Sequence, residues 1–596
     1  MRTYCGKIDA ASIGKEITIK AWVHRIRDHG GVLFIDCRDV TGLVQVVCNP
    51  DNSDSFKIAQ SLRDEYVISV KGSVRERPDG TGNSNIGTGN FEIIAAEITI
   101  LNKSEQLPFS LNDFTPVGEN IRFKYRYLDL RRSDVANKMI TRAKGVSILR
   151  KYLEDHSFFE IETPILTKTT PEGARDYLVP SRVHKGQFYA LPQSPQIFKQ
   201  ILMVAGLERY YQVARCFRDE DLRSDRQPEF SQLDIEMSFV SQQDVMDLAE
   251  GAIHHLFKEL LNIELPKFKV MSYNDAMLKY GCDKPDLRNP LQLASCDDLL
   301  LNSDFKVFAD PANSKGSRVA ALRLPNGAEL LSRKDLDSYT DTVMKFGAKG
   351  LAYIKVNDIS AKMEGMQSPI TKFLTWDTVE SILNRVGASN GDIIFFGAGD
   401  NALVNQTMDV LRQQLGINLG LLSSNWEILW VVDFPMFEEE RDDNGFLSPL
   451  HHQFTSPYVK SKEDFLANPA ECVSQAYDLV INGYEVGGGS IRIHNYDLQM
   501  EVLKQIGIDF EEANAKFGHL LEALKFGCPP HGGLAFGLDR LFMLITGGDS
   551  IKDVIAFPKT QSAACPLTAA PSDPEKDQLA ELGLRLREIT KDKTKV

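Results

Sequence analysis

No apolar run in the 596-residue chain approaches the roughly 18–20 residues that cross a bilayer, so no membrane-spanning helix is expected. The N-terminus, Met1-Arg2-Thr3-Tyr4-Cys5-Gly6, lacks the apolar stretch and cleavage site of a signal peptide. None of the nine cysteines (Cys5, Cys37, Cys48, Cys216, Cys282, Cys296, Cys472, Cys528, Cys565) forms a CxxC pair. That pattern argues against a zinc site and a disulfide framework and suits a reducing cytosol, so a cytoplasmic location is expected. Internal repeats and low-complexity segments are absent. Net positive charge is also missing: the formal value is −14. Phosphates respond to the field within about one Debye length, ~8–10 Å, so any nucleic-acid contact has to use local basic patches.

At 43% apolar and 25% charged residues, the composition is that of a globular protein, and the length calls for several domains. Residues 1–105 read as strands. Five β-branched or aromatic runs begin at Ile17, Gly31, Leu43, Tyr66 and Phe91, with turn-rich pieces such as Arg77 to Asn83 between them. A small closed barrel is implied, an OB-fold before a β-sandwich. Residues 106–135 form a linker whose basic, aromatic part is Arg122 to Arg132 (RFKYRYLDLRR). Residues 136–284 begin a larger α+β domain with a helix from Asn137 to His156. Residues 285–420 read as an inserted α/β module: strands at Leu351–Val356 and Asp392–Gly397 stand beside helices at Asp377–Arg385 and Ala402–Leu415. The larger domain resumes over 421–560, opening with an acidic, loop-like piece at Phe437–Asp443, and 561–596 forms a C-terminal extension.

Three stretches carry chemistry. From Cys216 to Phe230, followed by Gln232-Leu233-Asp234-Ile235-Glu236, apolar flanks suggest two antiparallel strands joined by a charged loop. As a solvated hairpin tip its ion pairs would contribute little. Arg218, however, adjoins an apolar strand, where an unpaired guanidinium is costly and a phosphate-binding fork is a natural use. Gly532 to Leu541 reads as a tight strand-to-helix turn with Arg540 at the helix start. Ser157 to Leu166 is a helix end, a short strand and Pro164.

In this order the three resemble the signature motifs of class II aminoacyl-tRNA synthetases. Thr170 to Tyr177, Leu191 to Gln200 and Asn482 to His494 look like the aspartate-specific members of that family. The likeness runs over essentially the whole chain, including an insertion typical of the bacterial form. It implies ATP-dependent activation of L-aspartate, transfer to tRNA(Asp), Mg²⁺ as cofactor and a homodimer with Pro164 at the interface.

The resemblance also assigns residues. Lys199 and Arg492 are expected at the aspartate β-carboxylate, as a point charge and a fork. Glu172, Ser194, Gln196 and Asp234 are expected near the α-ammonium, with Glu172 on a Pro-Glu-Gly lid and His451 close to the substrate. Arg218 should bridge the α-phosphate and the attacking carboxylate, and Arg540 should hold the γ-phosphate. Asp219, Glu220, Gln227, Glu485, Gly537, Leu538 and Asp539 complete the ATP set. Asp478 and Glu485 are the Mg²⁺ carboxylates. An extended chain would point them to opposite sides, so a bend between them is required. On the barrel, Trp22, Arg25, Arg27, Phe34, Arg38, Gln45, Gly80 and Glu92 are anticodon candidates, with Phe34 stacking on a base, although Trp22 by itself reads as barrel core. His29, before Gly30-Gly31, together with the Gly80 to Asn85 turn, looks like relatives that also aspartylate tRNA(Asn).

An asparagine- or lysine-specific enzyme fits the paired Lys199 and Arg492 poorly. An asparagine synthetase on the same core would lack the barrel and insertion. An inactive tRNA-binding paralogue would not need Arg218, Glu485 and Arg540.

Overall fold

The computed structural model describes residues 2–111, 116–170 and 173–587. The chain divides into two compact units, Met1–Val117 and Gly118–Val596.

The first unit is a barrel. Strand β1 (Glu16–His29) pairs antiparallel with β2 (Val32–Asp39), and β2 with β3 (Gly42–Cys48). Strand β4 (Val67–Glu76) pairs with β1 and with β5 (Phe91–Asn102), which runs parallel to β3 and closes the ring. Helix α1 (Ser53–Ser61), which the strand pattern did not foretell, lies between β3 and β4 and packs Ala59 into the core. The strand period sorts the side chains: Leu33, Ile35 and Cys37 are buried, while Phe34, Asp36 and Arg38 lie on the outer face. Trp22 is out of phase with buried Ala21 and Val23. It is therefore half-exposed opposite Arg38 and not part of the core, contrary to its reading from sequence.

The second unit is built on an eight-stranded sheet. Helix α2 (Ser133–Asp155) leads to β6 (Phe159–Glu160), helix α3 (Gln196–Val204), β7 (Arg209–Phe217), β8 (Glu229–Ser238), helix α4 (Gln242–Leu261) and β9 (Lys269–Ser272). The insertion contributes β10 (Ser317–Leu324), β11 (Ala352–Val356), helix α5 (Trp376–Val386), β12 (Ile393–Asp400) and helix α6 (Asn401–Asn418). The chain returns as β13 (Ile428–Val432), β14 (Ala476–Ile481), β15 (Tyr484–Ile491), β16 (His531–Gly537) and helix α7 (Leu538–Ile545). The large sheet runs β9-β13-β14-β15-β16-β8-β7-β6, antiparallel except at its two edge pairings. Inside the insertion a five-stranded sheet pairs antiparallel throughout, with its own apolar clusters on both faces. The acidic Phe437–Arg441 piece is a strand paired with Leu447–Pro449, not a loop.

One face of the large sheet is the core. Leu233, Ile235 and Met237 of β8, Trp430 of β13, Tyr477 and Leu479 of β14, and Leu534 and Phe536 of β16 pack beneath α2, α4 and α7. The intervening residues of the same strands, Gln232, Asp234 and Glu236, necessarily occupy the opposite face. A period of two thus gives the sheet an apolar side and a side on which charge collects. The Arg122–Arg132 connector is not solvated throughout: Arg126 and Asp129 are 1% and 0% exposed.

Candidate active site

A cleft of about 240 Å³ opens on the polar face, lined by β8, β15, β16 and the loop between β7 and β8. Arg218, Glu220, Gln227, Glu485, Gly537, Asp539 and Arg540 all line it. The Arg218 guanidinium stacks on the Phe230 ring, 5.0 Å from its centroid, which holds it without using its N–H groups. Arg540 is held by the Glu485 carbonyl and by Asp225 Oδ2 at 3.2 Å, and its Nε has no protein partner among the described residues. Both guanidiniums therefore face one cavity with donors to spare.

Other expected nucleotide residues serve the frame. Gln227 is 3% exposed and exchanges two bonds with the Lys559 backbone, 2.8 and 3.2 Å, so its amide is already engaged. The Asp539 carboxylate accepts from Ser231 N–H at 2.8 Å and pairs with Arg142, which joins α7 to β8 and α2. Leu538 is 1% exposed in the apolar core, because the first turn of α7 turns it away from the polar face. Asp219 is exposed, its backbone bridging to Arg175. Asp225, Arg226, Phe230 and Ile551 also line the cleft and were not singled out from sequence.

Next to the cleft lies a buried ionic cluster. Lys199 Nζ lies 3.1 Å from Asp234 Oδ1 and 3.4 Å from Glu236 Oε2, with all three side chains at most 2% exposed. Arg492 donates from Nε and Nη2 to both Glu236 oxygens at 3.0 and 3.2 Å, and from Nη2 to the Gly533 carbonyl at 3.3 Å. Its Nη1 reaches Ser490 Oγ at 2.8 Å and His452 Nε2 at 2.6 Å. Lys199 and Arg492 thus share a site, but they are not an open pair: Glu236, unassigned from sequence, bridges them, and Arg492 makes four contacts to oxygen with a further Nη1 contact to the His452 ring. Two charges of each sign lower the desolvation cost that an isolated buried cation would carry. Burial raises the Asp234 carboxyl, whereas Glu236 is held below the usual range because Arg492 and Lys199 outweigh its burial. Asp234 Oδ2 and the Gln196 and Gln200 amides retain groups without protein partners among the described residues. Of these, Asp234 Oδ2 belongs to the ionic cluster itself. Ser194 accepts from Gln196 N–H at 3.2 Å at the start of α3. Glu172 lies outside the described residues.

The histidine on Arg492 is His452, not His451. Phe454 N–H points at its Nδ1 and Arg492 Nη1 at its Nε2; a neutral imidazole accepts at only one of the two, and a doubly protonated ring at neither. Burial and Arg492 push its pKa well below the histidine range. His451 instead sits 3.6 Å from Asp478, edge-on to Phe434.

The bend required between Asp478 and Glu485 is a β-turn at Asn482-Gly483, both at positive φ, with a register shift beside Leu479. Asp478 then pairs with Gly488, and Glu485 with Val480, which places both carboxylates on the polar face. A Cβ at Gly488 would meet Asp478 Oδ1 at 2.4 Å, with Glu485 Oε1 at 3.7 Å. Asp478, and then burial, raises the Glu485 carboxyl. Two hard oxygen donors that repel one another fit a divalent cation, with further ligands left to a triphosphate. Among the described residues no set of three or more His, Cys, Asp or Glu is arranged to hold a metal ion.

The outer face of the barrel carries a separate polar network. Arg27 donates to Asp36 at 2.7 Å and to Gln45 Oε1 at 3.1 Å, Gln45 donates to Glu92 at 2.8 Å, and Arg75 also pairs with Glu92 at 2.7 Å. Glu92 is 1% exposed, so it orients its neighbours more than it offers an edge. Arg38 pairs with Glu65 at 2.8 Å, and Arg25 is exposed. His29 meets the Phe34 ring at 5.8 Å, edge-on, while Gly80 tops an exposed turn at φ 79°. In the second unit Pro164 is exposed, as are Phe159, Ile165 and Leu166.

Residues 118–561 match the family of class II tRNA synthetases (D, K and N), and residues 17–101 match the OB-fold nucleic acid binding domain of anticodon type. The aspartate–tRNA(Asp/Asn) ligases of Legionella pneumophila strains Philadelphia 1 and Paris are each 57% identical over 588 residues, 98% of this chain and 99% of the relative. Among solved structures, asparaginyl-tRNA synthetase of Pyrococcus horikoshii, complexed with asparaginyl-adenylate, has a TM-score of 0.59 at 17% identity, covering 94% of this chain and 98% of that one. Aspartyl-tRNA synthetase of Entamoeba histolytica has a TM-score of 0.56 at 17% identity, covering 94% and 91%. An antiparallel sheet with two arginines over one cleft, joined to an OB barrel and matched at this identity along its length, leaves one assignment: the chain belongs to the class II tRNA synthetases, and within them to the aspartate–tRNA ligase family.

Proposed function

We propose that this ligase condenses L-aspartate with ATP to aspartyl-adenylate and transfers the aspartyl group to the 3′ end of both tRNA(Asp) and tRNA(Asn), acting as a cytoplasmic homodimer. The observation that carries the reading is the buried Lys199–Asp234–Glu236–Arg492 cluster beside a cleft faced by Arg218 and Arg540. The aspartate α-ammonium would meet Asp234 Oδ2 and the β-carboxylate would meet Lys199 and Arg492. Because every Arg492 N–H already faces a protein atom, the incoming carboxylate has to displace one of them. Neutral His452 and Ser490 bind a guanidinium more weakly than a carboxylate does, so they yield first. An asparagine side chain offers no such exchange.

Arg218 would draw the α-phosphate and the attacking carboxylate together, and Arg540 would hold the far end of a bent triphosphate. Positioning and charge stabilisation then carry the rate. Asp478 and Glu485 would hold Mg²⁺, which supplies charge neutralisation on the phosphates. No side chain is required as general base for the ribose hydroxyl, since the adenylate phosphate can take its proton. On the barrel, Phe34 would stack on an anticodon base and the Arg27–Gln45 network would read base edges. The exposed Pro164 surface would form the dimer contact. Support for the second tRNA comes from His29 and from relatives named as aspartate–tRNA(Asp/Asn) ligases.

The test is ATP–pyrophosphate exchange across the twenty amino acids, followed by charging of purified tRNA(Asp) and tRNA(Asn). Exchange with aspartate and aspartylation of both tRNAs is expected. Exchange with another amino acid would overturn the substrate assignment, and charging of tRNA(Asp) alone would overturn the dual specificity.

A further inference from the structure

The basic connector at Arg122–Arg132 has no part in the site described above, yet Arg126 is 1% exposed. A buried guanidinium requires acceptors for its N–H groups, and here nearly all come from one segment. Arg126 Nε donates to the Ala556 carbonyl at 2.9 Å and Nη2 to the Ile555 carbonyl at 3.0 Å, while Nη1 pairs with Asp129. Arg122 holds the other Asp129 oxygen at 3.0 Å. From α2, Arg142 donates to the Val554 carbonyl at 2.8 Å, and Lys138 lies 3.4 Å from Asp553. Lys552 pairs with Glu119 at 3.0 Å. The strap Ser550–Ala556 is thus bound from behind by the connector and α2.

The front of the strap is the nucleotide cleft. Ile551 is one of its walls. Ile551 N–H and Ser550 Oγ both donate to the Ser224 carbonyl, at 3.1 and 2.9 Å, in the loop that carries Asp225 and Arg226. A few residues on, Lys559 is tied to Gln227 of the same loop.

We infer that Arg126 is a positioning residue for ATP: it fixes the strap against the connector, and the strap fixes the Ile551 wall and the Ser224–Gln227 loop around the nucleotide. It touches no substrate. Its forked geometry matters as well as its charge, since a lysine cannot donate to two successive carbonyls and a carboxylate from one planar group. The inference rests on the proposed use of this cleft for ATP.

The experiment is ATP–pyrophosphate exchange by the full-length protein, wild type, Arg126→Lys and Ser550→Ala, with KM measured separately for ATP and aspartate. Arg126→Lys is expected to raise the ATP KM about tenfold, because misplaced walls act on the substrate they position. The aspartate KM should stay within about twofold, since that pocket rests on other elements. Ser550→Ala cuts the front of the strap at a half-buried side chain and should give a smaller rise, in the ATP KM alone. An unchanged ATP KM in a folded Arg126→Lys, or equal rises in both KM values, overturns the inference. Should Arg126→Lys not fold, an unchanged ATP KM in Ser550→Ala overturns it. Absence of exchange in the wild type would defeat the ATP reading itself, a distinguishable result.

Discussion

Arg492 donates to Glu236, Gly533 and Ser490 and abuts the His452 ring, and this arrangement dictates how the pocket responds to substitution. Removing one cation leaves Glu236 with an incomplete partner set in a dry site, a loss of about 3–5 kcal/mol for a buried pair. Lys199→Leu is expected to raise the aspartate KM and cut kcat/KM by about two orders of magnitude or more, with the ATP KM little changed. Steady-state exchange measures this, and unchanged aspartate kinetics would remove Lys199 from the pocket.

His452 supplies a pH dependence. Its folded pKa lies well below the ordinary 6.5, so below about pH 6.5 the unfolded chain takes up a proton that the folded chain refuses. Stability from this residue is therefore complete above pH 6.5 and falls as the pH drops. In His452→Gln the decrease in Tm of the second unit between pH 7 and pH 5 should be smaller than in the wild type. Calorimetric scans at the two values provide the comparison, and an equal or larger decrease would contradict it.

At the scale of the element, β14 and β15 form the part that sequence order alone could not orient. Asp478 and Glu485 belong to one hairpin, and its turn and register shift bring them to the same face. Gly488 leaves the space that the Asp478 carboxylate fills. Gly488→Ala should displace that carboxylate and cost about 1–3 kcal/mol of stability, as overpacking does. It should lower exchange activity about a hundredfold, because on the proposed reading the displaced group is one of the two carboxylates beside the triphosphate. Far-ultraviolet circular dichroism, to confirm the fold, and exchange kinetics decide the matter; near-normal activity would mean that Asp478 need not sit where Gly488 allows it. The β8 strand was more transparent. The alternation Gln232-Leu233-Asp234-Ile235-Glu236 on a strand is enough to put the carboxylates on one face opposite the core. That Glu236 would bridge Lys199 and Arg492 was not readable, because its partners come from α3 and from residues beyond β15.

For the whole molecule, each of the two units has its own apolar core, the barrel around Ile19, Ile35, Val46 and Ile93, and the large sheet around Ile235, Trp430 and Phe536. Activation and tRNA recognition should therefore separate. A chain of residues 118–596 is expected to keep aspartate-dependent exchange within about threefold, since the cleft and ionic cluster lie wholly within it. It should lose most of its charging efficiency for both tRNAs. Phe34→Ala in the full chain should reproduce part of that loss, about 1–3 kcal/mol in kcat/KM for tRNA, with exchange unchanged. Loss of exchange on truncation would show that the second unit depends on the barrel.

What the sequence determined by itself was a share of what short-range rules govern. The period of two along β2 and β8 set inward and outward faces, glycine marked the turn before α7, and the motif stretches around Pro164, Arg218 and Arg540, with Leu191–Gln200 and Asn482–His494, carried the family resemblance. Tertiary structure alone decided which buried charges meet. Glu236 and Arg492 are separated by 256 positions, and Arg126 and Ala556 by 430. Such pairings follow from strand order and packing in three dimensions, which no local periodicity records, and in a dry interior they decide which polar groups are already satisfied and which remain free for a ligand.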